Sequence, residues 1–409
     1  MKFFILFFLL LALDFYAFQA VKIVSQNWLP QIRSFVFTIY WVVPLLAAGL
    51  FFIYWEGAFS ALNKNLFILL RAVVFIAYLS KLLVVGILLI DDFRRLGMVV
   101  YEGLAGNRGF SYSRSKFISS MAILLGSLPF ITLTYGIVRN RYRFTIFRKI
   151  VPLKSLPEKL GGLRIVQISD IHSGSFSLKE PLKNAVDLVN AQEADLVFFT
   201  GDLVNSIAGE IDYFLDVFDK IKAKYGVFSI LGNHDYGDYV RWPNREAKRQ
   251  NLEKLKAAHK RLGWDLLLNE NRLLRIRDEE IAVIGVENYS ALPQFQKYGD
   301  LEKAYEGAET ASLQLLLSHD PTHWEAQVLK DFKNISLTFS GHTHGMQFGI
   351  EIPGWVKWSP AQYVYKQWAG LYRRGEQFLY VNRGLGVLGY PGRVGILPEI
   401  SVIELEKEA

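Results

Sequence analysis

Four stretches of the first 140 residues, roughly 3–21, 35–55, 66–90 and 117–138, are each long and apolar enough to cross about 30 Å of hydrocarbon. A backbone in lipid must satisfy its own hydrogen bonds, so such stretches admit little besides helices. Trp28, Trp41 and Trp55 lie at or near their ends, where interfacial aromatics sit. The first stretch opens like a signal peptide with Met1-Lys2 and reaches Ala20. Asp14 interrupts its apolar run and Phe18 spoils the small-x-small cleavage pattern, so it is read as a retained helix. Asp14, Arg71 and Lys81 are charges embedded in these spans. Arg71 is near a helix end and reaches the interface, whereas Lys81 is deeper and is expected to pair with Asp14. A structural ion pair between packed helices is the expected role, ahead of a polar pathway.

From about Tyr142 the pattern changes to short strands alternating with amphipathic helices. TIFRKIVPL, LRIVQIS, DLVFFT, GVFSI, IAVIGV, LQLLLS, SLTFS and FLYVN read as strands; Leu178–Gln192, Ile211–Lys224 and Asn244–Leu262 read as helices. The strands are almost uniformly apolar, which fits burial on both faces in a layered α/β domain. The chain therefore divides into a membrane domain over residues 1–140 and a second domain over 141–409, and the 51% hydrophobic content is concentrated in the first. With no cysteine, disulfides, thiolate metal sites and cysteine nucleophiles are excluded. The net charge of +7 is scattered, which suits an anionic membrane surface; no nucleic-acid motif accompanies it, and nothing identifies a protein partner. A multi-pass protein of the cell (inner) membrane is expected. The side of the second domain stays open: Arg139, Arg141, Arg143, Arg148 and Lys149 argue for the cytoplasm. Arg94, Arg95, Arg108, Arg114 and Lys116, and a decayed twin-arginine pattern at residues 113–118, argue against it.

All seven histidines lie after residue 170, and five of them stand in loops that follow strands. In order, those loops are Asp170-Ile171-His172, Gly201-Asp202, Gly232-Asn233-His234-Asp235, Ser318-His319-Asp320 and Gly341-His342-Thr343-His344. A strand ending in a carboxylate, amide or imidazole, repeated five times, gathers hard and borderline ligands at one sheet edge. Such a set suits two divalent cations, most naturally Mn, with Fe or Zn as alternatives. Two cations about 4 Å apart are the usual apparatus for hydrolysing phosphate esters. Gly384-Leu-Gly386-Val-Leu-Gly389 spells a dinucleotide fingerprint, but Tyr390-Pro391-Gly392 cannot open the helix that fingerprint needs. Its glycines are expected to let backbone pass close to the metal loops.

These five blocks, D-x-H, G-D, G-N-H-[DE], a lone H and G-H-x-H, resemble in content and order those of the calcineurin-like metallophosphoesterases, in their membrane-attached branch. The resemblance covers roughly Leu163 to Leu405, and the segments Tyr380–Gly386 and Pro398–Ile400 look like that branch's closing strands. It implies a four-layer αββα sandwich, here preceded by an all-α bundle of about four transmembrane helices. It also implies that Asp170, His172 and His344 hold one metal, that Asp202 bridges to the second, and that Asn233, His319 and His342 complete the second site. His234 would be the catalytic group that protonates the leaving oxygen or steadies phosphoryl charge. Asp235 would either orient that imidazole or cap the next turn. Met346 departs from the glycine that many relatives carry after GHTHG, which alters pocket shape and removes no ligand.

Relatives include enzymes that split the pyrophosphate of UDP-2,3-diacylglucosamine in lipid A synthesis. With four spans in the chain, a lipid-linked phosphate or pyrophosphate is the expected substrate, and that pyrophosphate the leading one. Another phospholipid or a soluble ester is the alternative within the class, and a non-catalytic scaffold the alternative outside it. Arg393, Trp242, Trp355 and Trp358 are candidate substrate contacts, the tryptophans and their basic neighbours at headgroup level; a structural pairing of Arg393 and a packed aromatic cluster closing the sandwich are the alternatives. His259 is expected to be structural and His323 to lie at the surface.

Overall fold

Lys2–Val24 (α1), Pro30–Trp55 (α2), Lys64–Ala105 (α3) and Lys116–Val138 (α4) are helices, and each is long and apolar enough to cross a membrane. A computed structural model describes residues 2–55, 64–105, 115–352 and 354–408; Arg108, Ser113 and Arg114 lie outside them. The chain forms two compact units, Met1–Gly136 and Ile137–Ala409.

In the first unit α3 does not stop at Ile90. Its 42 residues make a rod of roughly 60 Å, about twice the hydrocarbon thickness. The helix continues because its charges pair along it: Arg94 donates to Asp91 at 2.9 Å, and Arg95 pairs with Asp92 one turn back. Arg94 and Arg95 are thus helical and partly neutralised, not loop charges. Lys81 donates to Asp14 Oδ1 at 2.6 Å, Tyr78 donates to Oδ2 at 2.7 Å, and the Lys81 ammonium lies 4.4 Å from the centre of the Tyr40 ring. The expected contact is therefore present, and it is fully satisfied inside the bundle.

The second unit is built on two six-stranded sheets. The first holds Thr145–Leu153 (β1), Arg164–Ile168 (β2), Leu196–Phe199 (β3), Val227–Ser229 (β4) and Asp265–Leu266 (β5). The second holds Glu270–Ile276 (β6), Glu279–Gly285 (β7), Leu313–Leu317 (β8) and Leu337–Ser340 (β9). Ile350–Ile352 (β10) and Val356–Trp358 (β11) make a separate hairpin. Gly370–Arg374 (β12) and Gln377–Val381 (β13) complete the second sheet, while Glu399–Lys407 (β14) returns to the first. The orders are β1-β14-β2-β3-β4-β5 and β12-β13-β9-β8-β7-β6. β2, β3, β4 and β5 run parallel, as do β7, β8, β9 and β13; β14 is parallel to β1 and antiparallel to β2.

Strand alternation sorts the apolar residues into layers. Ile165, Leu196, Phe198, Leu315, Leu317 and Phe339 fill the space between the sheets, with Phe198 and Phe339 edge to face at 5.0 Å. Val166, Ile168, Val197 and Phe199 face the other way, against Glu180–Asn190 (α5) and Arg245–Arg261 (α7). Ala282, Ile284 and Leu316 pack outward against Leu301–Tyr305 (α8) and Trp324. The result is the αββα sandwich. Asn244 starts α7 by accepting the Ala247 N–H at 2.8 Å. The helix expected over Ile211–Lys224 is instead one 3₁₀ turn, Asp212–Phe214, and one short helical turn, Leu215–Phe218. Phe214, Leu215 and Phe218 still bury their side chains at helical spacing, but beyond Phe218 the backbone leaves the helix and bonds to the chain before β3, the Lys224 N–H donating to the Ala194 carbonyl at 3.1 Å.

Candidate metal centre

Every block of the sequence pattern emerges at the carboxyl end of a parallel strand: Asp170 and His172 after β2, Asp202 after β3, Asn233 after β4, His319 after β8, and His342 with His344 after β9. Gln167 ties the two sheets together just beneath, its Nε2 donating to Thr200 Oγ1 and to the Ser340 carbonyl, each at 2.9 Å. The loops turn sharply. Asp170, His172, Asp202, His342 and His344, five of the seven candidate ligands, have left-handed backbone with φ between 46° and 71°. Each such residue costs on the order of 1–2 kcal/mol, strain of the kind that accumulates where a side chain must be aimed. The glycines after β13 allow this: a Cβ on Gly384 would sit 2.7 Å from the Asp170 side chain, and one on Gly386 would sit 2.1 Å from the Ile171 carbonyl oxygen. Backbone therefore passes against the ligand loops, as expected of that stretch.

The side chains converge in two groups, Asp170 with His172 and His344, and Asp202 with His319 and His342; within each, the ligating atoms all lie within 4.8 Å of one another. In the first, His172 Nε2 is 3.1 Å from His344 Nε2, and His344 Nε2 is 3.3 Å from Asp170 Oδ1. In the second, His319 Nε2 is 3.2 Å from Asn233 Oδ1 and 3.3 Å from His342 Nδ1. Asp202 Oδ2 lies between the groups, 3.5 Å from His172 Nε2 and 3.2 Å from His319 Nε2. Imidazole nitrogens aimed at one another and at carboxylate oxygens, buried except for the half-buried His342, are the donor set that divalent cations require. The remaining ring nitrogens of His319 and His342 are held from behind, whereas His172 Nδ1 has no hydrogen-bond partner among the described residues. His319 Nδ1 donates to the Thr200 carbonyl at 2.7 Å, and His342 Nε2 meets Tyr365 Oη at 2.8 Å and Asp320 Oδ2 at 3.4 Å.

The electrostatics prepares the ligands. Burial works to raise Asp170 and Asp202, but the surrounding imidazoles hold both carboxyls below the usual carboxylate range. Burial pushes His172 down to about 3, so it is a neutral ligand at any ordinary pH. Burial also opposes charge on His319, yet the Asp202 and Asp170 carboxylates push it up to about 10.

His234 stands apart from both groups. It is half-buried; its Nδ1–H donates to the Asn205 carbonyl at 2.7 Å, and its Nε2 has no hydrogen-bond partner among the described residues. The ring lies 5.0 Å from that of His172 and 4.5 Å from that of Tyr239. Asp235 does not orient this imidazole. Its carboxylate accepts the N–H groups of Asp202, Leu203, Val204 and Gly232, at 2.9–3.2 Å, and so clamps the second ligand loop to the third. Burial, then Asp202, push it up to about 7. Tyr239, whose hydroxyl accepts from Asn233 Nδ2 at 2.9 Å, and Tyr365, at 2.8 Å from His342 Nε2, belong to aromatic stretches that the sequence places near the mouth without assigning them a ligand contact.

Of the candidate substrate contacts, Arg393 takes the structural alternative. Arg393 is wholly buried and its guanidinium is spent on the carbonyls of Arg383, Gly384 and Gly386, which fastens the glycine-rich turn. Trp242 donates Nε1 to the Gly237 carbonyl at 2.7 Å and braces its own loop. Trp355 and Trp358 belong to the β10–β11 hairpin and make no hydrogen bond or ring contact with a candidate ligand among the described residues. His259 is buried and structural, bonded to Ser229 at 2.9 Å. His323 is not a surface residue: it is buried, stacked on Tyr289, and bonded to Ser318 and Gln327.

Residues 163–346 match the family model for the calcineurin-like phosphoesterase domain, and residues 1–141 match that for a probable calcineurin-like phosphoesterase transmembrane domain. A transmembrane protein with metallophosphoesterase domain from Danio rerio is 30% identical over 67% of this chain and 60% of its own length. The metallophosphoesterase YkuE of Bacillus subtilis (strain 168) is 28% identical over 72% of this chain and 98% of its own length. This chain thus spans less than two thirds of the Danio rerio relative. Among solved structures, TT1561 of Thermus thermophilus aligns with 55% of this chain and 90% of its own, at 12% identity and a TM-score of 0.36. With both halves matched and the ligand loops assembled, the chain is an integral membrane member of the calcineurin-like metallophosphoesterases, a family of metal-dependent phosphoester hydrolases.

Proposed function

We propose that the protein hydrolyses a phosphoester at a two-cation centre formed by Asp170, His172, His344, Asp202, Asn233, His319 and His342. The observation that carries this reading is the position of Asp202 Oδ2, within 3.5 Å of a nitrogen in each ligand group, beside an imidazole that is not in either. When bound, the two cations supply Lewis-acid polarisation and an activated water. Manganese is the favoured ion, on the donor set of carboxylate, amide and imidazole. The chain's own part is then positioning. Asp202 offsets the charge of both ions, Asn233 adds a neutral oxygen, and Asp235 holds the loops in register. His234, fixed through Nδ1 by the Asn205 carbonyl, presents Nε2 to protonate the leaving oxygen or to steady charge on the phosphoryl group.

The substrate reading rests on the first unit: four helices suited to a bilayer confine the hydrolase to a membrane, where lipid-linked phosphates and pyrophosphates are concentrated. UDP-2,3-diacylglucosamine is the leading candidate and requires the second unit to be cytoplasmic, in a cell's inner membrane. The test is an assay of purified full-length protein with Mn against a panel of lipid phosphomonoesters, phosphodiesters and this pyrophosphate, beside p-nitrophenyl phosphate. Turnover of a lipid species well above the soluble ester supports the reading; turnover of soluble esters alone would reduce the spans to an anchor. No turnover of any ester with the metals bound would leave a binding scaffold.

A further inference from the structure

The β10–β11 hairpin is amphipathic in the reverse of the usual sense. Its register pairs Ile350 with Trp358, Glu351 with Lys357 and Ile352 with Val356, so the two charged residues share one face and the four apolar ones the other. The charged face bonds to the protein, although Lys357 itself stays exposed. Glu351 accepts from Arg383 at 2.6 Å, and the Lys357 ammonium donates to the Ala369 carbonyl and lies 5.0 Å from the Trp368 ring centre. The apolar face is most open along β10 and the tip, where Ile350 is 52% exposed, Ile352 43% and Trp355 81%, while Val356 and Trp358 are half-buried. Phe348, packed edge-on to Trp358, and Tyr363 widen it. A hairpin surrounded by water would show the opposite arrangement.

We infer that this face is a membrane-docking surface, and that its occupant is the headgroup and upper acyl region of the bilayer that holds the four spans. Two observations select lipid. The exposed set combines branched aliphatics with Trp and Tyr, the composition that partitions into a membrane interface. The hairpin is also wired to the residues that follow α4. Asn140 donates to the Arg393 carbonyl at 3.2 Å and Arg141 to the Pro391 carbonyl at 3.3 Å. Val394, next in that loop, exchanges hydrogen bonds with Gln347 and Gly349 at 2.8 and 2.9 Å, where the chain enters β10. Residues only a few positions beyond an apolar span therefore share a hydrogen-bonded loop with the base of the hairpin. The same segment steadies the candidate ligands, since Ser359 donates to the Gly345 carbonyl at 2.7 Å, one residue past His344. Docking would hold the last ligand loop against the membrane surface.

The chain has no cysteine, so a single one can be labelled without background. Full-length Trp355→Cys, and separately Ile352→Cys, would carry an environment-sensitive fluorophore in vesicles of phosphatidylcholine and phosphatidylglycerol, with Tyr213→Cys as an exposed control. The expected result is blue-shifted emission at 352 and 355, with intensity lost on adding acyl-chain doxyl lipid, and water-like unquenched emission at 213. Water-like emission at both hairpin positions would overturn the inference. So would a blue shift that ignores doxyl lipid and disappears when the protein is diluted into excess lipid, which would mean that a second copy covers the face. Neither readout requires turnover, so the outcome is separate from the fate of the hydrolase reading.

Discussion

Asp202 and His234 are neighbours with different work, and removing each should fail differently. Asp202→Ala takes away the carboxylate shared by both ligand groups, so bound metal should fall to one equivalent or none and turnover should vanish. His234→Ala should keep both metals and lower kcat by roughly 10²–10⁴-fold. Metal analysis beside steady-state kinetics separates them; equal metal loss in both variants would make His234 a ligand. His319 gives a pH dependence. Its imidazolium, raised to about 10 from an ordinary 6.5, must lose its proton to bind a cation, so metal affinity should rise about tenfold per pH unit below that value. In metal-free protein the sign is reversed. The charged pair with Asp202 stabilises the fold fully below pH 6.5, and that stability should drain away as pH climbs through 10. Titration calorimetry in buffers of different ionisation enthalpy, with thermal unfolding of the chelated protein, reads both. The seven candidate ligands were legible because each is a metal-competent side chain placed just after an apolar strand. The Asn205 carbonyl that orients His234 is main chain, which no side-chain pattern displays. Tyr239 and Tyr365 read as packing aromatics until the fold brings their hydroxyls to Asn233 and His342.

At the level of elements, uniform apolarity announced the central strands, since a strand buried on both faces has no polar side. Edge strands are harder to see. β6 and β12 carry Arg272, Arg275, Arg373 and Arg374; β14, an inner strand, reads as one only at its start because Glu404 and Glu406 break its apolar run. The β10–β11 hairpin was invisible because its few residues are patterned against the usual rule. Among the membrane helices the Asp14–Lys81 pair offers a clean test. Lys81→Met alone strands a carboxylate among α1, α2 and α3 and should cost about 3–5 kcal/mol, whereas Asp14→Leu with Lys81→Met should cost far less. Thermal unfolding of the three proteins in one detergent decides it. A double variant as unstable as the single one would mean that the pair is needed for more than mutual neutralisation.

Across the whole molecule, two compact units with separate cores should respond separately to metal removal. A cation held at a thousand times its Kd stabilises its host by about 4 kcal/mol, or roughly 10 °C at about 2–4 °C per kcal/mol. Chelation should lower one unfolding transition by that order and leave the other in place; a joint shift of both would show that the units unfold as one. The division into a membrane unit and a layered unit was plain in the sequence, because hydropathy changes near residue 140 and stays changed. The partnership of β14 was not, since strands more than 240 residues apart give no local sign of pairing. That pairing has a consequence in time. Synthesis runs from the N-terminus, so four spans can be threaded into lipid while most of the first sheet is still unmade. β14 lies between β1 and β2, and until it is translated those two strands have no common neighbour. The turn bearing Gly384 and Arg393, which lies against Asp170 and His344, comes just before it. A growing chain can thus be moored to its membrane before β14, the strand that joins β1 to the rest of the first sheet, and the turn that backs the ligand loops are in place.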